Sequence, residues 1–219
     1  MSTRQPHPGK RVDGNHPVTA ALSTDVYPVR MAQALPGGLC YLPSVLSEPE
    51  ETALMAWLRA LEFSPVAMRG QVARRRTAHF GWVYGYESSR ITPGPPIREL
   101  LAPLRERAAS LAGLAPLALA EALVTEYPPG AGIGWHRDAL SFGVVVGVSL
   151  LSACRMRFRQ GAGGTRETRA VLLEPRSAYV LDGDARWRWQ HCIPPTKALR
   201  YSVTFRVLRE DRDSPDRRR

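Results

Sequence analysis

The residues best suited to chemistry are His136 and Asp138, two positions apart, and His191, which follows after a long gap. Two imidazoles and one carboxylate can occupy one face of an octahedral metal ion and leave the opposite face open. A mononuclear non-haem iron centre needs that open face to admit a cosubstrate and O2. The three residues are therefore the predicted metal ligands and catalytic residues. Because the imidazoles must be neutral and the carboxylate ionised, metal binding should weaken in acid.

Residues 200 to 207 are the second chemical feature, because polar and apolar side chains alternate along them. In a strand, Arg200, Ser202, Thr204 and Arg206 would share one face, and Tyr201, Val203, Phe205 and Val207 the other. The apolar face predicts core packing, so the first face should line a cavity, where an arginine needs an anion. The two arginines lie roughly 20 Å apart along a strand and favour a small dicarboxylate between them. An exposed face with solvated arginines remains open at this point.

With these residues the chain resembles a known family, the AlkB-like 2-oxoglutarate and Fe(II)-dependent dioxygenases, over about residues 75 to 208. The motifs that carry the likeness are Tyr127 to Gly130, His136 to Asp138, Val148 to Leu150, His191, and Arg200 to Arg206. The resemblance implies a mostly β fold, a double-stranded β-helix (jelly roll) with N-terminal helices packed outside. It also implies an oxidoreductase that uses Fe(II), 2-oxoglutarate and O2.

The resemblance assigns roles to individual residues. His136, Asp138 and His191 are expected to bind iron. Tyr127 is expected to contact 2-oxoglutarate, Arg200 to bind its distal carboxylate, and Arg206 to lie near its metal-proximal carboxylate as a further catalytic residue. Thr125 and Ser202 stand where the family often has asparagine. Both keep a hydroxyl and are expected to belong to the same cofactor site.

The substrate is less closely specified. The resemblance implies oxidative demethylation of N-alkylated bases in DNA or RNA, a repair reaction that releases formaldehyde. Leu140, however, stands where repair members carry an acidic residue that reads the exocyclic amine of a methylated base. Hydroxylation of a transfer-RNA base or of a protein side chain therefore remains open, and so does a nucleic-acid-binding protein without turnover.

Cations and aromatic residues follow one another in residues 69 to 86, a pattern that suits stacking on flipped or single-stranded bases. By likeness to the nucleotide-recognition segment of the family, Trp82 and Tyr86 are the predicted substrate contacts, together with Arg137. Alternating aromatics are also typical of a buried strand face, so both interpretations stand. The same holds for Arg155, Arg157 and Arg159, which predict either a solvated sheet face or a phosphate-binding one.

The composition agrees with a nucleic-acid partner. The 219 residues carry a formal net charge of +10, and every basic residue except Lys10 and Lys197 is arginine. Such an excess suits a polyanion, although a bias towards arginine codons produces the same composition. The three cysteines have no paired spacing, the N-terminus lacks a signal-like segment, and no run approaches the ~20 apolar residues of a membrane span. A cytoplasmic monomer with no membrane contact is expected.

The chain is expected to divide into a poorly ordered, proline-rich extension (1–36), a dioxygenase domain (37–208) and a charged tail (209–219). Ser47 and Glu50 predict a capping box that starts one helix, and a second helix is predicted from Ile97 to Leu111 with an interruption at Pro103. The predicted strands are Leu123 to Tyr127, Gly143 to Leu151, Arg155 to Arg159, Ala170 to Leu173, Ser177 to Leu181, Trp187 to His191, and Arg200 to Leu208. The metal spacing places His136 and Asp138 on an early strand.

Overall fold

The computed structural model describes residues 34–68, 70–85, 88, 90–161 and 165–209. All of them belong to one compact unit, residues 31–219. The predicted extension (1–36) and tail (209–219) lie almost wholly outside the described residues, so these two boundaries stay predictions. None of the helices in the described part of the chain has the length and apolar character needed to cross a membrane.

Thirteen strands and three α-helices are formed by the described residues. The strands are β1 (Leu39–Leu42), β2 (Ser64–Met68), β3 (Gln71–Phe80), β4 (Trp82–Gly85), β5 (Arg90–Pro93), β6 (Leu119–Tyr127), β7 (Ile133–His136), β8 (Phe142–Leu150), β9 (Cys154–Gln160), β10 (Glu167–Leu173), β11 (Ala178–Leu181), β12 (Gln190–Ile193) and β13 (Arg200–Leu208). The helices are α1 (Glu48–Arg59), α2 (Ala102–Leu111) and α3 (Gly183–Trp187), and 3-10 turns occur at Glu99–Leu101 and Pro116–Ala118.

Two antiparallel sheets face each other. The larger has the order β1-β11-β8-β13-β6-β3-β2, the smaller has the order β10-β9-β12-β7, and β4 and β5 form a separate hairpin. Apolar side chains from both sheets meet between them, for example Val145 of β8 with Met156 and Phe158 of β9. This is the predicted mostly β jelly roll, in which a layer of side chains between the sheets forms a core.

The helices pack against the outer face of the larger sheet, as expected. Leu58 of α1 and Leu104 of α2 join one buried cluster with Val146 and Val203 of the sheet. The predicted capping box is present, since the Ser47 side chain accepts from the backbone of Glu50, whose side chain accepts in return. The interruption predicted at Pro103 is wrong, because α2 starts at Ala102 and places the proline in its first turn, where the missing N–H has no partner to lose.

Two predicted placements near the metal ligands are also wrong. The segment Trp187 to His191 is not one strand, because α3 occupies Gly183–Trp187 and β12 begins only at Gln190. The Asp182 side chain accepts from the backbone of Gly183 and starts that helical turn. Asp138 is not on a strand, since β7 ends at His136.

Candidate active site

The three predicted metal ligands converge at one end of the space between the sheets. His136 and His191 are direct partners in the pairing of β7 with β12, and their rings lie 4.3 Å apart. Asp138 follows in the loop after β7, with its Oδ2 3.6 Å from Nε2 of His191. The ligand atoms of all three residues lie within 4.8 Å of one another. One cation at normal nitrogen and oxygen ligand distances of about 2.0–2.2 Å fits between them.

The ligands are already in the protonation states that a metal requires. Burial lowers the pKa of both imidazoles, that of His191 to about 3, against the opposing charge of Asp138. Burial alone would raise the pKa of the Asp138 carboxyl, but the Arg206 guanidinium and the two histidines hold it well below its usual range. At neutral pH the imidazoles are therefore neutral and the carboxylate is ionised, which is the donor set that suits Fe(II).

The metal-free protein is expected to lose stability in acid through His191. The pKa of His191 in the folded protein, about 3, lies below its ordinary value of 6.5, so between these pH values the unfolded chain binds one proton more than the folded chain. The neutral imidazole therefore contributes its full stabilisation above about pH 6.5, and this stabilisation is lost as pH falls towards 3. Urea unfolding in the presence of a chelator, repeated between pH 3 and 6.5, measures how the free energy of unfolding depends on pH. The slope for the wild type should be up to about 1.4 kcal/mol per pH unit steeper than the slope for a His191→Gln variant. Equal slopes would contradict the shift.

A buried network orients the Asp138 carboxylate. Arg206 donates to Oδ1 of Asp138 at 2.8 Å and to Oε2 of Glu121 at 2.9 Å. Glu121 is fully buried, and its other oxygen lies 3.3 Å from Nδ1 of His79. Since Arg206 occupies Oδ1, Oδ2 is turned towards the histidines. The structure thus places Arg206 at the metal end of the cavity, against the carboxylate of a predicted ligand. Glu121 had no signal in the sequence beyond its position on a strand.

Arg186 holds the loop that carries Asp138, and sequence reasoning missed it. Its side chain is only 2% exposed and donates to four backbone carbonyls. The accepting oxygens are those of Asp138 (3.3 Å), Ala139 (2.7 Å), Phe142 (2.6 Å) and Gly143 (2.8 Å). Arg186 therefore gives residues 138 to 143 a defined shape, although it does not touch the candidate metal position itself.

An Arg186→Met change is expected to weaken Fe(II) binding by about 10- to 100-fold, the usual cost of losing an outer-shell partner. The four carbonyls lose their donors, and Asp138 is no longer held in one position. Anaerobic metal titration of the purified variant measures the effect, with Arg188→Met as the control because Arg188 is exposed on the same short segment. Unchanged metal affinity in a folded Arg186 variant would remove this positioning role.

Two of the predicted 2-oxoglutarate residues, Arg200 and Tyr127, are buried and lie side by side. Arg200 is fully buried, pairs with Tyr127 across β13 and β6, and places its guanidinium carbon 5.0 Å from the centre of that ring. Its Nε donates to Oγ of Ser149 at 3.2 Å. Nη1 and Nη2 have no hydrogen-bond partner among the described residues. Because unpaired buried donors of a charged group are costly, an anion with two oxygens fits this position.

The hydroxyl residues line the same space. Thr125 and Ser202 are direct partners in the pairing of β6 with β13, both are buried, and both line the cavity with Tyr127. Sequence reasoning missed Tyr179, which also lines the cavity. Its ring packs directly over Gly147, because a Cβ atom at residue 147 would lie only 2.2 Å from Cζ of Tyr179. Burial raises the pKa of Tyr179, so its phenol remains a donor next to Arg200. A glycine inside an otherwise apolar strand was the available signal.

The cavity has a volume of about 370 Å³, and Thr125, Tyr127 and Ser202 line it together with the predicted metal ligands. Arg200 is not among the described residues that line it. Arg137 lines it and donates to the Trp187 carbonyl at 3.4 Å, and its role as a substrate contact stays a prediction. Trp82 is not among the described residues that line it, whereas Tyr84 of the same strand is. Tyr86 lies outside the described residues. The substrate roles of Trp82 and Tyr86 remain predictions, and Tyr84 is the aromatic residue of β4 that lines the cavity.

The comparisons with known proteins agree with this geometry. Residues 38–206 match the family model of the 2OG-Fe(II) oxygenase superfamily. An Arabidopsis thaliana protein named alkylated DNA repair protein ALKBH8 homolog is 29% identical over 184 residues, which cover 73% of this chain and 51% of that protein. The Mus musculus tRNA (carboxymethyluridine(34)-5-O)-methyltransferase ALKBH8 is 29% identical over 172 residues, 75% of this chain and 25% of that protein.

Solved structures show the same fold. The structure of OsALKBH1 superposes with a TM-score of 0.65 at 17% identity, over 80% of this chain and 99% of that one. A Pseudomonas putida prolyl-4-hydroxylase superposes with a TM-score of 0.55 at 16% identity, over 78% of this chain and 93% of that one. The chain spans about half the length of the Arabidopsis relative and a quarter of the mouse one. It belongs to the 2OG-Fe(II) oxygenase superfamily as an AlkB-like dioxygenase, and its cofactors are Fe(II), 2-oxoglutarate and O2.

Proposed function

We propose that the protein hydroxylates a substituent on a neutral base of RNA, with transfer RNA as the substrate class. The observation that carries the proposal is the lining of the cavity. Among the described residues that line it, Asp138 is the one carboxylate, and Arg206 and the metal account for its oxygens. Leu140, next to the lining residue Ala139, is 73% exposed. No described carboxylate is left on the cavity wall to read a cationic methylated base.

The remaining polar groups suit a base with carbonyl oxygens. Arg75 and Thr77 project from β3 into the cavity and offer N–H and O–H donors, whereas the Nδ1 of His79 faces the carboxylate of Glu121. A uracil-type base presents carbonyl acceptors to such donors. Tyr84 supplies aromatic surface on the same cavity, and stacking on such a ring contributes roughly 1–3 kcal/mol per base. The name of the mouse relative, which refers to a modified uridine of transfer RNA, supports this class.

The chain's own residues position the reaction. His136, Asp138 and His191 would hold Fe(II), and Arg200 with Tyr127 would hold 2-oxoglutarate. When bound, these cofactors supply the oxidation with O2, one oxygen atom entering succinate as CO2 leaves and the other entering the substrate as a hydroxyl. A base inside a duplex cannot reach this depth, so the target nucleotide must be unpaired or flipped.

Oxidative demethylation of an N-alkylated base in DNA or RNA is the second candidate. The name of the Arabidopsis relative refers to alkylated DNA repair, and the aromatic ring of Tyr84, which lines the cavity, also suits a cationic methylated base. Hydroxylation of an N-methyl carbon yields a hemiaminal that releases formaldehyde, so the same site would produce a demethylated base. For either substrate we expect a cytoplasmic monomer.

Product analysis separates these candidates. The protein with Fe(II), 2-oxoglutarate and O2 is incubated with total transfer RNA and, separately, with methylated DNA and RNA oligonucleotides, and nucleosides are then measured by mass spectrometry. A nucleoside heavier by one oxygen atom, formed with succinate and without formaldehyde, is the expected result for transfer RNA. Formaldehyde with loss of a methyl group would favour the second candidate. Succinate that no nucleic acid stimulates would overturn both.

A further inference from the structure

The outer face of the smaller sheet carries a charged surface that the active site does not use. Arg155, Arg157 and Arg159 occupy alternate positions of β9, while the residues between them are buried against the core. Alternate residues on a strand lie roughly 6.7 Å apart, so the three guanidinium groups form a row. Three neighbouring like charges repel one another unless counter-ions lie between them.

Nothing in the described part of the chain neutralises the first two arginines, since neither Arg155 nor Arg157 forms an ion pair there. Their cross-strand partners are uncharged. Leu172 lies opposite Arg155, and Ala170 and Cys192 lie opposite Arg157. The row therefore offers two guanidinium groups to an external anion.

The third arginine is already engaged. Nε of Arg159 donates to Oε1 of Gln190 at 2.8 Å, and its guanidinium carbon lies 4.5 Å from the centre of the Trp135 ring. This contact fixes the ring at the edge of the arginine row. Trp135 also lines the active-site cavity, so the row and the active site meet at this side chain.

A groove of about 390 Å³ lies next to the row. Its lining comprises Gly132, Ile133, Gly134, Trp135, Arg157, Cys192, Ile193, Pro194 and Pro195. Apart from Arg157, these side chains are apolar or absent, and open space lies above the Cα of Gly134. The volume falls in the range of small-ligand sites. Flat apolar walls with one guanidinium at the rim suit a nucleobase whose phosphate meets Arg157.

Strand β7 separates this groove from the active site. Ile133, Gly134 and Trp135 line both spaces, and His136 follows them directly. A nucleotide in the groove would therefore lie one strand away from the metal ligands. Because β7 is the edge strand of the smaller sheet, an RNA strand that passes around it can place one nucleotide in the active site and its neighbour in the groove.

We propose that the groove and the arginine row form an accessory site for single-stranded RNA, which holds a nucleotide flanking the oxidised one. The inference rests on the proposed function in taking RNA as the substrate. The flanking base packs against Trp135, Pro194 and Pro195, and the backbone phosphates meet Arg157 and Arg155. The active site then needs to recognise only the oxidised base, while the row supplies affinity for the polymer independently of sequence.

The test compares RNA binding by the full chain and its variants, loaded with Fe(II) and 2-oxoglutarate under argon. The probe is a fluorescein-labelled ten-nucleotide oligouridine, followed by anisotropy between 50 and 200 mM salt. Arg157→Gln is expected to weaken binding about fivefold and to lower the salt slope by about 0.7 for each phosphate that the variant no longer binds. Arg155→Gln with Arg157→Gln should lower the slope about twice as much, and Arg157→Lys should retain it.

Arg59→Gln is the matched control, because Arg59 is an exposed arginine in the last turn of α1. The control should bind as the wild type does. All variants should make succinate in the absence of RNA at the wild-type rate, since Arg155 and Arg157 do not line the active-site cavity. A wild-type preference for a DNA decamer over the RNA one would overturn the choice of RNA.

The outcomes separate this inference from the proposed function. If the wild type oxidises transfer RNA while Arg157→Gln and Arg59→Gln bind equally well, the accessory site is wrong and the proposed function stands. If binding depends on Arg157 but no RNA is oxidised, the accessory site stands and the proposed function fails. Absence of RNA binding by the wild type overturns the accessory site, whatever the mass spectra show.

Discussion

Arg200→Met is expected to remove the response of the protein to 2-oxoglutarate while leaving iron binding intact. In the wild type, 2-oxoglutarate at about 100 times its Kd should stabilise the fold by about 2.7 kcal/mol. The variant should show almost none of this. Losing one partner of a buried ion pair costs about 3–5 kcal/mol, so the KM for 2-oxoglutarate should rise at least 100-fold. Thermal unfolding with and without the diacid, and succinate assays, measure both effects.

The apo stability of the same variant is a sharper prediction. Two nitrogens of Arg200 lack partners in the described structure, so the hydrogen bond to Ser149 and the Tyr127 ring offset only part of the cost of burying its charge until an anion arrives. Methionine removes that cost, and the metal-free variant should be at least as stable as the wild type. A large loss of apo stability would show that Arg200 is a structural residue.

A substrate analogue provides the matched control. 2-Oxobutyrate keeps the metal-binding end of 2-oxoglutarate and lacks the distal carboxylate. The wild type should bind 2-oxobutyrate about as weakly as the Arg200→Met variant binds 2-oxoglutarate. Neither complex can form the ion pair between Arg200 and the distal carboxylate. If Arg200→Met weakened both compounds equally, the distal carboxylate would not lie at Arg200.

His136→Ala is expected to abolish turnover with little effect on folding. His136 is a predicted metal ligand on the half-exposed end of β7, and its Nδ1 makes one hydrogen bond, to the Gly134 carbonyl at 2.9 Å. That bond leaves Nε2 for the metal. Loss of a direct ligand should cost more than the 10- to 100-fold typical of outer-shell residues. Metal content and the visible absorption of the anaerobic Fe(II) and 2-oxoglutarate complex report the loss.

His79→Gln distinguishes a metal ligand from a histidine that merely lines the cavity. His79 lines the same cavity but bonds to Glu121 and is not part of the His136, Asp138 and His191 group. The variant should keep its metal and its succinate production without substrate. If His136→Ala kept full activity, the assignment of His136 to the metal would be wrong.

Arg206 connects these predictions, because it joins Asp138, a predicted metal ligand, to the buried Glu121. The arrangement resembles other metal sites in that the ligand is oriented by a second residue and that residue by a third. In this chain the third residue also contacts His79 on the substrate side of the cavity. A change at Glu121 should therefore disturb both ends of the site.

The sequence by itself determined the features that depend on local periodicity and residue chemistry. Alternation along Arg200 to Val207 predicted one polar and one apolar face of β13, and the burial of Arg200, Val203 and Phe205 agrees with it. The residue types and order of His136, Asp138 and His191 predicted that these three side chains meet, because few donor sets leave an open coordination face on a metal. Their ligand atoms do lie within 4.8 Å of one another. The capping box of α1 was equally local, because its two partners are three residues apart.

The tertiary structure decided which distant residues meet. Arg186 finds its four carbonyl acceptors 43 to 48 positions away in the sequence. The pairing of β7 with β12 brings His136 opposite His191, and the pairing of β6 with β13 brings Tyr127 opposite Arg200. No local pattern contains these registers, because they result from the packing of both sheets around one core. The groove behind β7 arises for the same reason, since β7, β9 and β12 become neighbours only in the folded chain.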